Sequence, residues 1–342
     1  MKITIKTIAM MAGVHRSTVD KVIHRRPGVS DEVRTRIQAI IDELDYQPNH
    51  AGMALRKQSD HFRIAVVVRE IDALPFFKAG VEKAKQAYRS YNIAFDTYIV
   101  SNHDPSEQAK ILQRLREEKV DGIAIYPLGD PCVGEEINAM VTEGIPTILV
   151  NTVNPHVGEM LCYVGQDMYV AGQIAARLMG EFFDHKAGEV ALFVKSNDDF
   201  SLEDRGKGFQ SALQQAFPQI EIIETVETFE NPELSYVKTL ELLDRHPTLY
   251  GIYVTCGGAA SAGRALKERE RTNIKLITHE CYKEIVQLLH EDVINCSIDS
   301  DLTEQSFRSL QILCERLIFN TEPPDKNIYT STSILFKENS SI

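Results

Sequence analysis

What this sequence lacks narrows it first. No Gly-x-Gly-x-x-Gly follows the first strand-like run, and no Gly-x-x-x-x-Gly-Lys-Ser/Thr occurs anywhere, so nucleotide-phosphate cradles are unsupported. Gly257-Gly258 reads more simply as a tight strand-to-helix turn. The six cysteines (Cys132, Cys162, Cys256, Cys281, Cys296 and Cys314) contain no C-x-x-C pair, which fits small unpaired thiols in a reducing compartment better than metal ligands or disulfides. No apolar signal segment stands at MKITIK, and no run approaches the length of a membrane span, so a cytoplasmic location is expected. His279-Glu280-Cys281 and Asp198-Asp199 are reactive residue types without the spacing of a nucleophile and base or of a metal site. No enzyme, cofactor or metal is therefore expected.

What is present begins at the N-terminus. Thr4 can cap a first helix with a buried face of Ile8, Ala9 and Ala12, and Gly13 supplies the permissive backbone of a tight interhelical turn. In the second helix Val19, Val22 and Ile23 share one face, which leaves Arg16, Ser17 and Lys21 pointing outward. Such groups hydrogen-bond bases and phosphates. Ser30 starts a third helix with Asp31 and Glu32 in its first turn and a core stripe of Val33, Ile37, Ile40, Ile41 and Leu44. This is a helix-turn-helix unit with its own small core.

Charge divides along the same line. Up to Gln58 there are ten basic and six acidic residues, a net of +4; the totals of 37 and 49 leave 27 basic and 43 acidic residues beyond it, a net of −16. Only the head suits a polyanion. From His61 onward, short apolar runs recur at 64–68, 93–100, 122–126, 146–150, 190–194, 220–226, 249–254 and 274–278, with a last strand expected over 328–336. Amphipathic segments of helix length alternate with them, at 76–91, 107–119, 169–183, 206–217, 233–246 and 259–270. That alternation predicts parallel sheets covered on both faces. About 280 residues exceed one comfortable core, so two lobes are expected.

The head pattern TIK-x-IA-x-x-AGV-x-x-x-TV-x-x-V, then GVS, then L-x-Y-x-PN and A-x-x-LR, resembles the lactose-repressor (LacI/GalR) family of bacterial regulators over residues 3–57. The resemblance implies a symmetric dimer on a pseudo-palindromic duplex, with Arg16, Ser17 and Lys21 at base edges. It places Thr4, Thr7, His15, Thr18 and His24 near phosphates. It also implies a hinge helix from Pro48 to Arg56, with Asn49 and Gly52 in the DNA-contacting set and Leu55 as the wedge in the minor groove. His15, Asp20 and Lys21 depart from the family's usual Ser-x-x-Thr-Val-Ser-Arg. The expected organisation is an all-α helix-turn-helix head at 1–46, a hinge and linker at 47–60, and an α/β two-lobed effector-binding and dimerisation domain at 61–342.

That body resembles the type I periplasmic-binding-protein-like domain, in its ribose-binding branch. The matching marks are Pro75-Phe76-Phe77, Ile145-Pro146, Val164-Gly165-Gln166-Asp167, Arg205-Gly206-Lys207-Gly208-Phe209, His246-Pro247 and His279-Glu280. By that resemblance the ligand sits between the lobes at the carboxyl ends of the strands. Phe76, Phe77 and Phe229 become aromatic walls, with ordinary core packing as the alternative for all three. Asn151, Arg205, Cys256 and Glu280 become polar contacts, joined by Asp299 or its neighbours Ser300 and Asp301.

A sequence-specific regulator, most often a repressor, controlled by a sugar-like or polyol effector is thus the expectation. A solute-binding protein with a non-sugar ligand and a corepressor-dependent regulator are the alternatives. No leucine heptad tail precedes Ile342, so a homodimer is expected in preference to a tail-built tetramer. Replacing Lys21 by Ala should relax preference at one base pair and cost ~1–3 kcal/mol on the specific site. Leu55→Ala should weaken specific binding and spare most of the salt-dependent nonspecific binding; unchanged operator affinity and bending in a gel-shift series would remove the wedge.

Overall fold

The computed structural model describes residues 5–23, 28–44, 60–71, 73–101, 104–196 and 200–340. Thr4, His24, Asn49, Gly52 and Leu55 lie outside them, as does nearly all of the expected hinge. The head consists of α1 (Ile5–Ala12), α2 (Arg16–Ile23) and α3 (Asp31–Glu43). Helix α1 stops because Gly13 takes a left-handed φ of +64°, which lets the Val14 and Gly13 amides donate back to Ala9 O and Met10 O. Ile8, Ala9, Ala12, Val19, Val22 and Ile37 close one core between the three helices, as their spacing in the sequence predicts.

The first lobe opens with β1 (Phe62–Arg69), α4 (Leu74–Ala87), β2 (Ile93–Val100), α5 (Pro105–Glu117), β3 (Gly122–Ile125), α6 (Pro131–Thr142), β4 (Thr147–Val150) and β5 (Cys162–Gly165). The second follows with α7 (Met168–Phe182), β6 (Gly188–Val194), α8 (Phe200–Ala216), β7 (Ile220–Glu227), α9 (Pro232–Arg245), β8 (Leu249–Val254), α10 (Ala259–Glu268), β9 (Lys275–His279), α11 (Lys283–His290) and β10 (Cys296–Asp299). Then α12 (Leu302–Phe319) and β11 (Asn327–Tyr329) return to the first lobe, and β12 (Ser333–Leu335) ends in the second. The sheet orders are β11-β5-β4-β3-β1-β2 and β12-β10-β9-β8-β6-β7; only β12 runs antiparallel.

Both sheets are buried on both faces, which is why their strands read as unbroken apolar runs. Ile64, Val66 and Val68 of β1 face α4 and α12, whereas Ala65 and Val67 face α5 and α6. In β6, Ala191 and Phe193 face α9, α10 and α11, and Val190, Leu192 and Val194 face α7 and α8. Three helices begin with a capping side chain followed by proline, at Asp104-Pro105, Asp130-Pro131 and Asn231-Pro232.

The chain crosses between lobes at 166–167, 300–301 and 330–332, and those crossovers are tied together. Thr330 Oγ1 donates to Ser300 O at 2.8 Å and to Gly165 O at 3.3 Å, and Gln166 Nε2 donates to Thr332 Oγ1 at 3.2 Å. The single C-terminal strand expected over 328–336 is two strands in different sheets, because Thr330 anchors the backbone at the crossover between them. Strands β5 and β10 and helices α6, α11 and α12 add to the elements legible in the sequence.

Helices α7 and α8 touch through glycine. A Cβ on Gly172 would lie 2.0 Å from the carbonyl oxygen of Arg205, and one on Gly208 would lie 2.1 Å from that of Tyr169. This close approach sets where Arg205 emerges from α8. Gly172→Ala should cost ~1–3 kcal/mol by overpacking against a backbone that cannot yield. Gly129→Ala, which meets nothing within 4 Å, is the control. Equal urea midpoints for the two variants would contradict this packing.

Candidate effector cleft and nucleic-acid interface

The strands of both lobes end at a common cleft. A cavity of about 160 Å³ is lined by Tyr126 and Asn151 of the first lobe and by Arg205, Glu230, Cys256, His279 and Glu280 of the second, with Tyr282 and Leu302 closing its sides. A chamber of about 200 Å³ adjoins it past Gly257-Gly258 and Tyr282. Several lining residues leave their strands through left-handed backbone, with φ of +66° at Asn151, +55° at Glu230 and +67° at Glu280. Non-glycine residues persist there only where their surroundings hold them. At Glu280 the hold is visible: its amide donates to Ile298 O at 3.1 Å and its carbonyl accepts from Ser297 Oγ at 2.6 Å.

Arg205 is 3% exposed. It donates to Thr255 O and Gln166 Oε1, both at 2.8 Å, and to Glu280 Oε1 at 3.3 Å, while its buried Nε has no partner. Ser300 Oγ donates to the other Glu280 oxygen at 2.8 Å. Burial pushes the Glu280 carboxyl above its ordinary range, only partly opposed by the Arg205 charge. Across the cleft, Arg69 at the end of β1 donates to Glu230 Oε2 at 3.1 Å and stacks 4.6 Å above the Tyr126 ring. This ion pair joins the two lobes. Burial, with the charge of Glu230, also pushes the Cys256 thiol up to about 12, so it stays protonated.

Of the residues singled out in the sequence, Asn151, Arg205, Cys256 and Glu280 are brought together around the cavity. Phe76 sits one step behind it, its ring 6.0 Å from Tyr282. Phe77 lies in the first-lobe core, Phe229 is 53% exposed, and Asp299 does not line the cavity, although Ser300 reaches Glu280. Arg69, Tyr126, Glu230, His279 and Tyr282 are the cleft residues that the sequence reading did not select. Arg69 and Tyr126 each follow an apolar strand run, and that position is the signal for them.

In the head, His15, Arg16, Ser17 and Lys21 are exposed, and Thr7 and Thr18 are half-buried. The His15 ring caps α2, accepting from the Ser17 amide at 3.3 Å with Ser17 Oγ 2.8 Å away. Arg16, Ser17 and Lys21 therefore share the solvent face of α2 at helical spacing.

Buried His279 holds Tyr253 OH at 2.8 Å through Nε2. Burial first, then the Arg205 charge, drive its pKa well below the ordinary value of 6.5. A depressed folded pKa adds stability that is complete above the unfolded value and is lost as pH falls below it. Lowering the pH from about 7.5 to about 5.5 should lower stability through this residue, on the order of 1 kcal/mol. Urea unfolding at both pH values should show that difference shrink in His279→Gln; an unchanged difference would refute the assignment.

Among the described residues no helix is long and apolar enough to cross a membrane, and no group of three or more His, Cys, Asp or Glu could hold a metal. Residues 64–320 match the periplasmic binding protein domain family, and residues 4–49 match the bacterial regulatory proteins of the lacI family. The HTH-type transcriptional regulator DegA of Bacillus subtilis is 27% identical over 250 residues, 72% of this chain and 71% of that protein. The regulator TreR of Salmonella typhimurium is 31% identical over 126 residues, 36% of this chain and 39% of its own length. The sugar-binding protein of a sugar ABC transporter from Bacillus halodurans superposes with a TM-score of 0.72 at 25% identity, covering 81% of this chain and 98% of that one. These similarities are to DNA-binding regulators and binding proteins, not to enzymes. With residues 64–320 matching over most of its length, the chain belongs to the periplasmic binding protein domain family, and it carries at residues 4–49 the head of the bacterial regulatory proteins of the lacI family.

Proposed function

We propose that this regulator is a cytoplasmic homodimer that represses from a pseudo-palindromic operator, and that its operator affinity is set by a small polyhydroxylated effector in the interlobe cleft. The observation that carries the effector class is the charge balance of the cleft. Two buried arginines, Arg69 and Arg205, face two carboxylates, Glu230 and Glu280; each arginine already has its anion, and Lys195, 3.6 Å from Glu230, shares the carboxylate that holds Arg69. Arg69 adds a second cation to the single one legible in the sequence. A phosphate ester would meet Glu230 and Glu280 in a desolvated space, where repulsion and lost hydration add. A neutral hydroxyl instead accepts from the unpartnered Arg205 Nε and donates to a carboxylate, gaining charge-assisted bonds on both sides. An ammonium-bearing sugar fits for the same reason. The cavity and its adjoining chamber, about 160 and 200 Å³, together fall at the low end of the ~300–1,000 Å³ usual for drug-sized ligands, which favours a sugar-sized effector. Similarity to a sugar-binding protein points the same way.

At the other end, Arg16, Ser17 and Lys21 of α2 read base edges, and Thr4, Thr7, His15, Thr18 and His24 position the head on phosphates. Asn49 and Gly52 join the DNA-contacting set, and Leu55 is the minor-groove wedge. An effector that stabilises one lobe arrangement changes the spacing of the paired heads, and DNA affinity shifts by a coupling free energy of typically ~1–3 kcal/mol.

Isothermal titration of the full-length chain against matched pairs, each sugar or polyol beside its phosphate ester, tests the effector class. The neutral member should bind more tightly, and Arg205→Ala should lower its affinity by at least about tenfold, the loss of one charge-assisted hydrogen bond. Tighter binding of an ester, abolished by Arg205→Ala, would overturn the class and leave the head's DNA binding standing.

A further inference from the structure

A second groove, of about 260 Å³, straddles the first crossover. Asn151, Tyr163 and Tyr329 reach it from the first lobe, and Met168, Tyr169 and Asp204 from the second, with Asp167 between them. Its chemistry differs from that of the cleft. Among the described residues no lysine, arginine or histidine lines it, and its walls carry three tyrosines, a thioether and two carboxylates. Tyr169 and Tyr329 are 40% and 53% exposed, so both rings are open to a ligand in the groove. Tyr163 stands edge-on to Tyr329 with ring centroids 6.4 Å apart, so Tyr329 rests against a buried ring. The Tyr163 hydroxyl is anchored on Asn151 O and Gln166 O, at 2.9 and 3.1 Å.

The face of an exposed tyrosine carries negative quadrupole, which Tyr169 and Tyr329 offer to a ligand in the groove, and the Asp167 and Asp204 carboxylates at the same rim add negative charge. Burial first, and then the charges of Asp167, Asp325 and Asp204, raise the pKa of the Tyr329 hydroxyl, so both lining aspartates act on this ring. An anion is disfavoured from every side. A neutral polyol finds few buried donors here, whereas a compact cation gains from rings and carboxylates together. We propose that this groove binds a small organic ammonium ion as a second ligand, separate from the occupant of the cleft. Because its walls come from both lobes, the groove changes shape with any lobe rotation, and its ligand biases the same equilibrium as the cleft ligand.

Choline and its uncharged isostere 3,3-dimethyl-1-butanol, titrated calorimetrically into the full-length chain, separate cation recognition from simple apolar contact. Choline should bind about tenfold more tightly than the isostere, the scale of a partly desolvated cation–π contact. Tyr329→Ala and Asp204→Asn should each weaken choline by several-fold, while Tyr329→Phe, which keeps the ring, restores it; thermal melts establish that each variant is folded. Equal affinities for choline and the isostere would overturn the proposal. So would choline binding that survives Tyr329→Ala but is lost in Glu280→Gln, because that result places the cation in the cleft. Neither of these outcomes depends on whether a sugar binds the cleft.

Discussion

One buried guanidinium organises the effector body. Arg205 draws together the end of β8 through Thr255 O, the first crossover through Gln166, and the end of β9 through Glu280. A charge this deep is stable only if paired and hydrogen-bonded, so Glu280 must be held beside it despite its left-handed backbone. Ser300 supplies that support from the second crossover. The Ser300 carbonyl in turn accepts from Thr330 in the third crossover and from Gln305 of α12. A single connected network thus runs from the cavity into all three segments that join the lobes. An atom that reaches Arg205 Nε acts where that network converges.

The lobes are also joined directly. The ion pair of Arg69 with Glu230 crosses the cleft with its charges largely shielded from water, and Lys195 stands 3.6 Å from the same carboxylate. Electrostatic attraction between lobes favours the arrangement in which the cavity exists. A ligand shifts such an equilibrium only by its differential affinity for the two arrangements. The cleft meets that condition by drawing contacts from both sheets, so no ligand can satisfy its full set of partners from one lobe alone.

The head and most of the strands were legible because their causes are local. Gly13, Ser30 and the apolar spacing of Ile8, Val19 and Ile37 carry the head without reference to anything distant. Strands β1, β3 and β8 announce themselves as apolar runs because helices cover both faces. Strands β5 and β10 do not, because Tyr163 in one and Ser297 and Asp299 in the other interrupt the aliphatic run. Helix α12 buries Gln305, Ser306 and Ser309, so its core stripe reads as polar; those side chains bond to Ser300 O, Phe77 O and Ser306 O respectively. Asn151, Arg205, Cys256 and Glu280 were reachable by resemblance, whereas Phe77 and Phe229 show its limit. Successive positions on a helix point about 100° apart, so a shift of one residue exchanges core for cleft.

The sequence by itself determined a basic three-helix head, an acidic α/β body, the number of lobes and most of the strands, because periodicity, caps and charge distribution act over a few residues. Tertiary structure alone decided that β11 and β12 belong to different lobes and that Arg69 meets Glu230 across 161 positions. It also decided that the arginine of α8 is neutralised by a carboxylate 75 residues further along. Those facts depend on where strand ends converge after folding, and burial then makes each charge require its partner; no local pattern encodes a distance between residues that only the closed fold brings together.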